Sequence, residues 1–281
     1  MRRVRRGGAR VRAALDATEV RTGAVAELTA VTADKLRLRK APGWLPRGRR
    51  VYAVGDVHGC RQQLVDLHAT IAADLAARPI RSVLLMHLGD YIDIGPDSAG
   101  VIDVLSHPSP IAGATTVNLL GDHERMLLDA LSGDRAAATD WLWAGGRASL
   151  ASWGIDPDLP REEWEAALPA SHVAFLRNLV LSHREGDYLF VHAGIRPGVT
   201  ISQQTPDDLL TMRQPFLWSD ADFGVVVVHG HNTAALPAVT DNRIGIDTGA
   251  GHGGPLTCVV LEEGLVGFLA APAPRSLPPC R

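Results

Sequence analysis

Short apolar runs, each ending beside a glycine, set the rhythm of this chain. Arg50 to Val54, Val83 to Leu88, Thr116 to Leu120, Tyr188 to Val191 and Val225 to Val228 are rich in valine and leucine. Runs of that length and content predict strands buried within a sheet. After the first of them Leu64, Leu67, His68, Ile71 and Leu75 recur at helical spacing and predict a crossover helix. Ala99 to Leu105 and Arg125 to Leu131 predict two more. Strands alternating with helices argue a largely parallel sheet in the first half of an α/β fold. Across residues 132–181 the pattern turns helical and holds four of the six tryptophans, Trp141, Trp143, Trp153 and Trp164. That stretch predicts an inserted helical cap whose tryptophans fill its own small core. Strand-rich sequence returns from Tyr188 to Glu262, with Arg243 to Asp247 and Leu256 to Leu261, so a second sheet is expected.

Punctuation divides the chain further. Residues 1–48 are rich in arginine and alanine and end in Pro42-Gly43-Trp44-Leu45-Pro46, a linker-like stretch. They are expected to form a poorly ordered basic extension, with the domain at 49–270 and a tail at 271–281. The first 50 residues hold 14 of the 28 Lys and Arg against four acids, and the remainder, 14 basic against 27 acidic, carries about −13. An acidic body is better suited to divalent cations than to nucleic acid, which leaves only the basic arm as a candidate for anionic partners. No apolar run of signal-peptide length follows the basic start, and the Val225 to Val228 run is far too short to cross a bilayer. Cys60, Cys258 and Cys280 show no paired spacing. The expectation is a cytoplasmic protein with no membrane partner.

Chemistry gathers where the strands end. Gly55-Asp56-Val57-His58-Gly59, Gly89-Asp90, Gly121-Asp122-His123-Glu124, His192-Ala193-Gly194 and His229-Gly230-His231 each follow one of the five runs. In layered α/β folds such ends converge on one cleft. Asp56 and His58, two apart in extended chain, reach the same side and suit one metal ion. Asp90 has two oxygens with which to bridge two ions, and Asp122, His192 and His231 suit a second. Mixed oxygen and nitrogen donors favour manganese, iron or zinc over calcium. Two ions ~3.5–4 Å apart would share a water and lower its pKa. His229, two residues before His231, is a candidate phosphate contact.

The ordered set of motifs, with Gly89-Asp90-Tyr91-Ile92-Asp93-Ile94-Gly95 as its second member, resembles the PPP-type serine/threonine phosphoprotein phosphatases. These are calcineurin-like binuclear metallophosphoesterases, and the resemblance covers their bacterial relatives, the symmetrical diadenosine tetraphosphate hydrolases. It runs from about Arg50 to Leu269. It implies a two-sheet β sandwich flanked by helices, and two divalent ions, manganese first and iron or zinc as alternatives. A hydroxide shared by the ions would attack phosphorus. It further implies that His123 is the general acid, with Asp93 orienting its imidazole. Arg213 resembles the phosphate-gripping arginine of bacterial members, and Trp218-Ser219-Asp220 echoes a family segment. The substrate implied first is a phosphorylated protein. The alternatives are a small phosphoester such as a bis(5'-nucleosyl)-tetraphosphate or another diester or pyrophosphate linkage, and a degenerate member that binds phosphate without turnover.

Two departures bear on that choice. Ile94 stands where the family pattern has an arginine, and Asp122 where it has an asparagine. An arginine clamps phosphate oxygens through two parallel donors, and isoleucine offers neither charge nor donor. A third carboxylate adds negative charge, which tightens metal binding and lowers Lewis acidity. Both changes disfavour a dianionic monoester and lead to an expectation of slow monoester turnover or a less charged substrate.

Overall fold

The runs of valine and leucine pair into two sheets that face each other across a dry core. The computed structural model describes residues 36–273. In chain order its elements are β1 (Arg39–Lys40), β2 (Arg49–Val54), α1 (Arg61–Ala77), β3 (Ser82–His87), α2 (Ser98–Ser106), β4 (Ala114–Asn118) and α3 (Asp122–Leu131). The cap follows with α4 (Arg135–Trp141), α5 (Arg147–Ser152), α6 (Trp164–Ala167) and α7 (Ala170–Arg177). Then come β5 (Ser182–Glu185), β6 (Tyr188–Val191), α8 (Pro206–Thr211), β7 (Val226–His229), β8 (Ala238–Val239), β9 (Arg243–Gly245), β10 (Leu256–Glu262) and β11 (Leu265–Ala271).

One sheet has the order β1-β11-β10-β2-β3-β4, the other β5-β6-β7-β9-β8. Strands β2, β3 and β4 run parallel, with Val51 opposite Leu84 and Leu85 opposite Thr116. Alternate side chains of each strand go to different layers, as a pleat requires. Val51 and Ala53 of β2 and Val259 and Leu261 of β10 point between the sheets, meeting Phe190, Val228 and Ile244. Tyr52, Val54, Cys258 and Val260 point the other way, onto Leu64, Leu67 and Ile71 of α1 and the buried face of the cap. The outer face of the second sheet, through Leu189, Val191 and Val227, is covered by Leu209 of α8 and by Phe216. Helices therefore flank a sandwich of two mixed sheets. Among the described residues no helix is long and apolar enough to cross a membrane.

Three expectations are corrected. The segment at Pro42 to Pro46 is not a linker: Ala41 and Leu45 insert between the sheets, and β1 pairs antiparallel with β11. The ordered fold thus begins before residue 49 because burial of those two side chains anchors it, while residues 1–35 and 274–281 lie outside the described residues. Leu256 to Leu261 joins the first sheet, antiparallel to β2, and not the second. Of the cap tryptophans, Trp141 and Trp164 are buried edge to face, but Trp143 is 86 % exposed and fills no core.

Candidate active site

The loops after β2, β3, β4, β6 and β7 meet at one edge of the sandwich. They do so in strained backbone. His58, Asp90, Asp93, Ile94 and His231 all have positive φ, a region that L-residues seldom occupy and that is a true outlier for β-branched isoleucine. Such strain persists where the surroundings over-determine it and it clusters at functional sites. Here the surroundings are identifiable. Glu124, fully buried in α3, accepts backbone N–H groups from Asp90 (2.9 Å), Tyr91 (2.7 Å), Ile92 (3.1 Å) and Gly121 (3.1 Å). Gly59 and Gly95 cannot carry a Cβ, because their loops touch backbone to backbone.

On this frame the imidazoles are fixed through one nitrogen each. His58 Nδ1 lies 2.9 Å from the Ile92 carbonyl and His192 Nδ1 2.8 Å from that of Leu88. Each carbonyl accepts a hydrogen bond from its ring, which turns each Nε2 toward the carboxylates. Those two Nε2 atoms stand 3.4 Å from Asp90, one at Oδ2 and the other at Oδ1. Asp122 Oδ1 is 2.9 Å from His192 Nε2 and 3.2 Å from His231 Nδ1. Donor atoms of Asp90, Asp122, His192 and His231 all lie within 4.8 Å of one another, and so do those of His58, Asp90 and His123. Asp90 is common to both sets. Asp56 belongs to neither set; its Oδ2 accepts the backbone N–H of His231 at 2.8 Å. Its Oδ1 and the Nε2 of His231 are buried without a hydrogen-bond partner among the described residues. Orphaned buried polar atoms are costly, and cations satisfy them. The donors therefore fit divalent metal.

Electrostatics agree with that fit. Burial opposes the charge on Asp122, but hydrogen bonds to His192 and His231 outweigh it and hold the carboxyl well below its ordinary range. Burial, then repulsion from Asp247, pushes Asp56 well above its ordinary value. Glu124 is pushed up to about 7 by burial and the neighbouring Asp90.

His123 behaves differently from the other imidazoles. Its Nδ1 is 2.7 Å from Asp93 Oδ2, and burial, which would lower its pKa, is overcome by Asp90 and Asp93, which raise it to about 10. With Nδ1 committed to Asp93, Nε2 is the free proton-bearing atom. Asp93 is itself fully buried and receives Ser149 Oγ at 2.6 Å and Trp141 Nε1 at 2.8 Å, both from the cap. Sequence reasoning found the histidine and aspartate but missed Trp141, Ser149 and Glu124. Only Glu124 left a signal there, as an acid three residues into a helix after Gly121.

Ile94 is packed. A Cβ on Gly145 of the cap would lie 2.9 Å from its nitrogen, and one on Gly251 3.3 Å from its Cγ2. Arg213 and His229 sit apart from the metal donors, on a neighbouring cleft. His229 sets its Nδ1 3.0 Å from the Gly230 carbonyl. It lies edge-on to Phe216, and burial lowers its pKa to about 4, so it offers no positive charge near neutrality.

The chain matches the Calcineurin-like phosphoesterase family over residues 49–259, roughly three quarters of its length. A symmetrical bis(5'-nucleosyl)-tetraphosphatase of Aromatoleum aromaticum is 30 % identical over 150 residues, 53 % of this chain and 46 % of that protein. Serine/threonine-protein phosphatase 1 of Salmonella typhimurium is 32 % identical over 126 residues, 45 % of each. The chain thus spans under half the length of these curated relatives. An asymmetrical bis(5'-nucleosyl)-tetraphosphatase of Halalkalibacterium halodurans aligns over 80 % of this chain and 94 % of its own, at 24 % identity. Among solved structures, one provisionally assigned as a diadenosine tetraphosphatase superposes with a TM-score of 0.57 at 23 % identity, covering 81 % of this chain and 95 % of that one. The match across the motif-bearing strands, joined to the two Asp/His donor sets at their ends, places the chain in the calcineurin-like phosphoesterase family.

Proposed function

We propose that the chain hydrolyses a phosphoanhydride linkage in a dinucleoside polyphosphate, and that protein phosphatase activity is secondary. The observation that carries this reading is Ile94. Wedged between Gly145 and Gly251 beside the Asp93–His123 pair, it supplies no cation to a terminal phosphate dianion. A bridging phosphate carries one negative charge per phosphorus and loses less by the arginine's absence. The named relatives favour the same class: the tetraphosphatases outnumber the protein phosphatase among them.

In this reading Asp56, His58 and Asp90 hold one divalent ion and Asp90, Asp122, His192 and His231 the other, with manganese expected first. Bound there, the ions supply Lewis acidity toward water and the phosphoryl oxygens. The chain's own part is proton delivery and orientation. Asp93 holds His123 Nδ1–H; as water loses a proton to solvent and its oxygen bonds to phosphorus, the His123 Nε2 proton passes to the bridging oxygen and the bond from phosphorus to the leaving nucleotide breaks. Strained loops fix the donors before substrate arrives, so no reorganisation is needed at the moment of reaction.

The test is hydrolysis of diadenosine tetraphosphate, a phosphoserine peptide and an aryl phosphate by the manganese-loaded protein. Diadenosine tetraphosphate is expected to be turned over with the highest kcat/KM, and His123→Asn to lower kcat by ~10²–10⁴ without loss of bound metal. Preference for the peptide would return the assignment to a protein phosphatase. Two bound metals with no turnover of any substrate would make the chain a phosphate-binding member of its family.

A further inference from the structure

A cleft of about 640 Å³ is lined by residues on either side of His231 in the chain, His229 and Asn232 among them. Arg213, Gln214, His229, Asn232, Thr233 and Arg243 contribute its polar lining, and no carboxylate lines it. It is continuous with the metal donors through the chain itself. Asn232 follows His231, and its Nδ2 donates to the carbonyls of Ala193 (3.3 Å), next to His192, and of Met212 (3.1 Å). That volume falls among ordinary small-molecule pockets.

Its two cations are not neutralised. Elsewhere in the molecule buried or half-buried arginines are matched with acids: Arg50 with Glu262 at 2.8 Å and Arg49 with Glu185 at 2.9 Å. Arg243 is half-buried, yet among the described residues no carboxylate lies within ion-pair distance of it. Its Nη2 donates to the Leu217 carbonyl at 2.5 Å, and its Nη1 to the Ser219 carbonyl at 3.3 Å and to Asn242 Oδ1 at 3.2 Å. Every one of those acceptors is neutral. The guanidinium also lies over the Phe216 ring, 6.0 Å from its centroid. Exposed Arg213 likewise has no ion-pair partner among the described residues. A buried charge held only by dipoles is expensive unless an anion completes it.

We infer that this cleft is a subsite for the phosphates beyond the scissile linkage, with Arg243 as its specificity-determining residue and Arg213 at its mouth. The inference rests on the proposed class of substrate, since only a polyphosphate chain would extend from the metal donors into it. Guanidinium groups match phosphate oxygens, and the acceptors on Arg243 take up Nη1 and one Nη2–H, leaving its Nε–H and second Nη2–H for a phosphate.

The test reads binding and not turnover. Calorimetry on the manganese-loaded full chain compares a bis-methylene triphosphate, whose P–C–P bridges resist hydrolysis, with orthophosphate. The parent is expected to bind the triphosphate about tenfold more tightly or better. Arg243→Gln and, separately, Ala238→Asp are expected to cut that ratio at least fivefold, or by about 1 kcal/mol. Ala238 is exposed on β8 and lines the cleft, so an acid there repels the ligand without disturbing the core. Thermal melting of both variants checks folding, and if Arg243→Gln does not fold, Ala238→Asp decides. No preference in the parent overturns the subsite. An unchanged ratio in Ala238→Asp does so as well, because Arg243 would then act only through the loop it braces. A preserved ratio with no hydrolysis of diadenosine tetraphosphate would count against the proposed function and leave the subsite standing.

Discussion

Asp93 shows how much of the proposed proton relay rests on residues that make no contact with substrate. Its carboxylate accepts three donors, His123 Nδ1, Trp141 Nε1 and Ser149 Oγ, and its own N–H goes to Ser149 Oγ at 2.8 Å. Ser149→Ala would leave Oδ1 of a fully buried aspartate without a donor, at a cost of about 1–3 kcal/mol. The expected result is a kcat about tenfold lower with KM close to the parent. Ser149→Thr, which restores the hydroxyl, should recover most of it. A loss of stability with no change in kcat, or no recovery with threonine, would show that Ser149 merely packs the cap. The ligand candidates were legible in the sequence because short polar residues stood between glycines after apolar runs. Trp141 and Ser149 were not, because they meet Asp93 across separations of 48 and 56 residues and the cap's sequence displays only a helical pattern.

At the scale of elements, the cap reaches the site through α4, α5 and the turn that joins them. Residues 142–146 form a kinked turn between α4 and α5, broken where Gly145 leaves helical geometry. Gly145, at φ 124°, lets that turn lie against Asp93 and Ile94. A Cβ there would sit 2.9 Å from the Ile94 nitrogen and 3.2 Å from the Asp93 Cβ. Gly145→Ala is therefore expected to destabilise the fold by about 1–3 kcal/mol and to lower kcat by moving Trp141 and Ser149 away from Asp93. Melting temperature and kcat measured on the same sample check this; an unchanged kcat would mean that the cap docks independently of the turn. Strands β2, β3, β6, β7 and β10 were predicted to within a residue or two, since burial on both faces writes itself as continuous valine and leucine, whereas β11, as long as β10, was missed. The two-residue strands β1 and β8 were missed too, because two residues carry no periodicity. The prolines around Leu45 disguised an anchored edge as a linker for the same reason: a single buried leucine looks like any other.

The whole molecule adds constraints that no segment displays. The division of strands between the sheets could not be read, because β9 and β10 follow one another in a single strand-rich stretch and sheet membership depends on which neighbour each finds. The same holds for a pair of histidines outside every motif, His68 on α1 and His87 at the end of β3. Their Nε2 atoms are 2.9 Å apart, and His87 Nδ1 is 2.7 Å from Asn118 Oδ1 on β4. Because the amide oxygen accepts, His87 Nδ1 carries the proton, His87 Nε2 accepts, and His68 Nε2 donates. Protonating His87 Nε2 would break this chain and protonating His68 would charge a buried ring, and burial lowers the pKa of His68 to about 4 and that of His87 to about 3.

The consequence is acid sensitivity with a definite sign. Both folded pKa values lie below the ordinary 6.5, so the unfolded chain binds more protons once the pH drops below that value. The stabilisation is complete above about 6.5 and is lost as the pH falls toward 4 and 3. At pH 5 each imidazole contributes a loss of about 2 kcal/mol, and the pair about 4, a large share of the ~5–15 kcal/mol that holds a typical domain. Urea unfolding at pH 7 and pH 5 measures it. His68→Gln keeps an N–H donor facing His87 but cannot take up a proton, so its stability should fall by about 2 kcal/mol less than the parent's over the same interval. Equal losses in the two proteins would place the acid sensitivity elsewhere and reduce the histidine pair to packing.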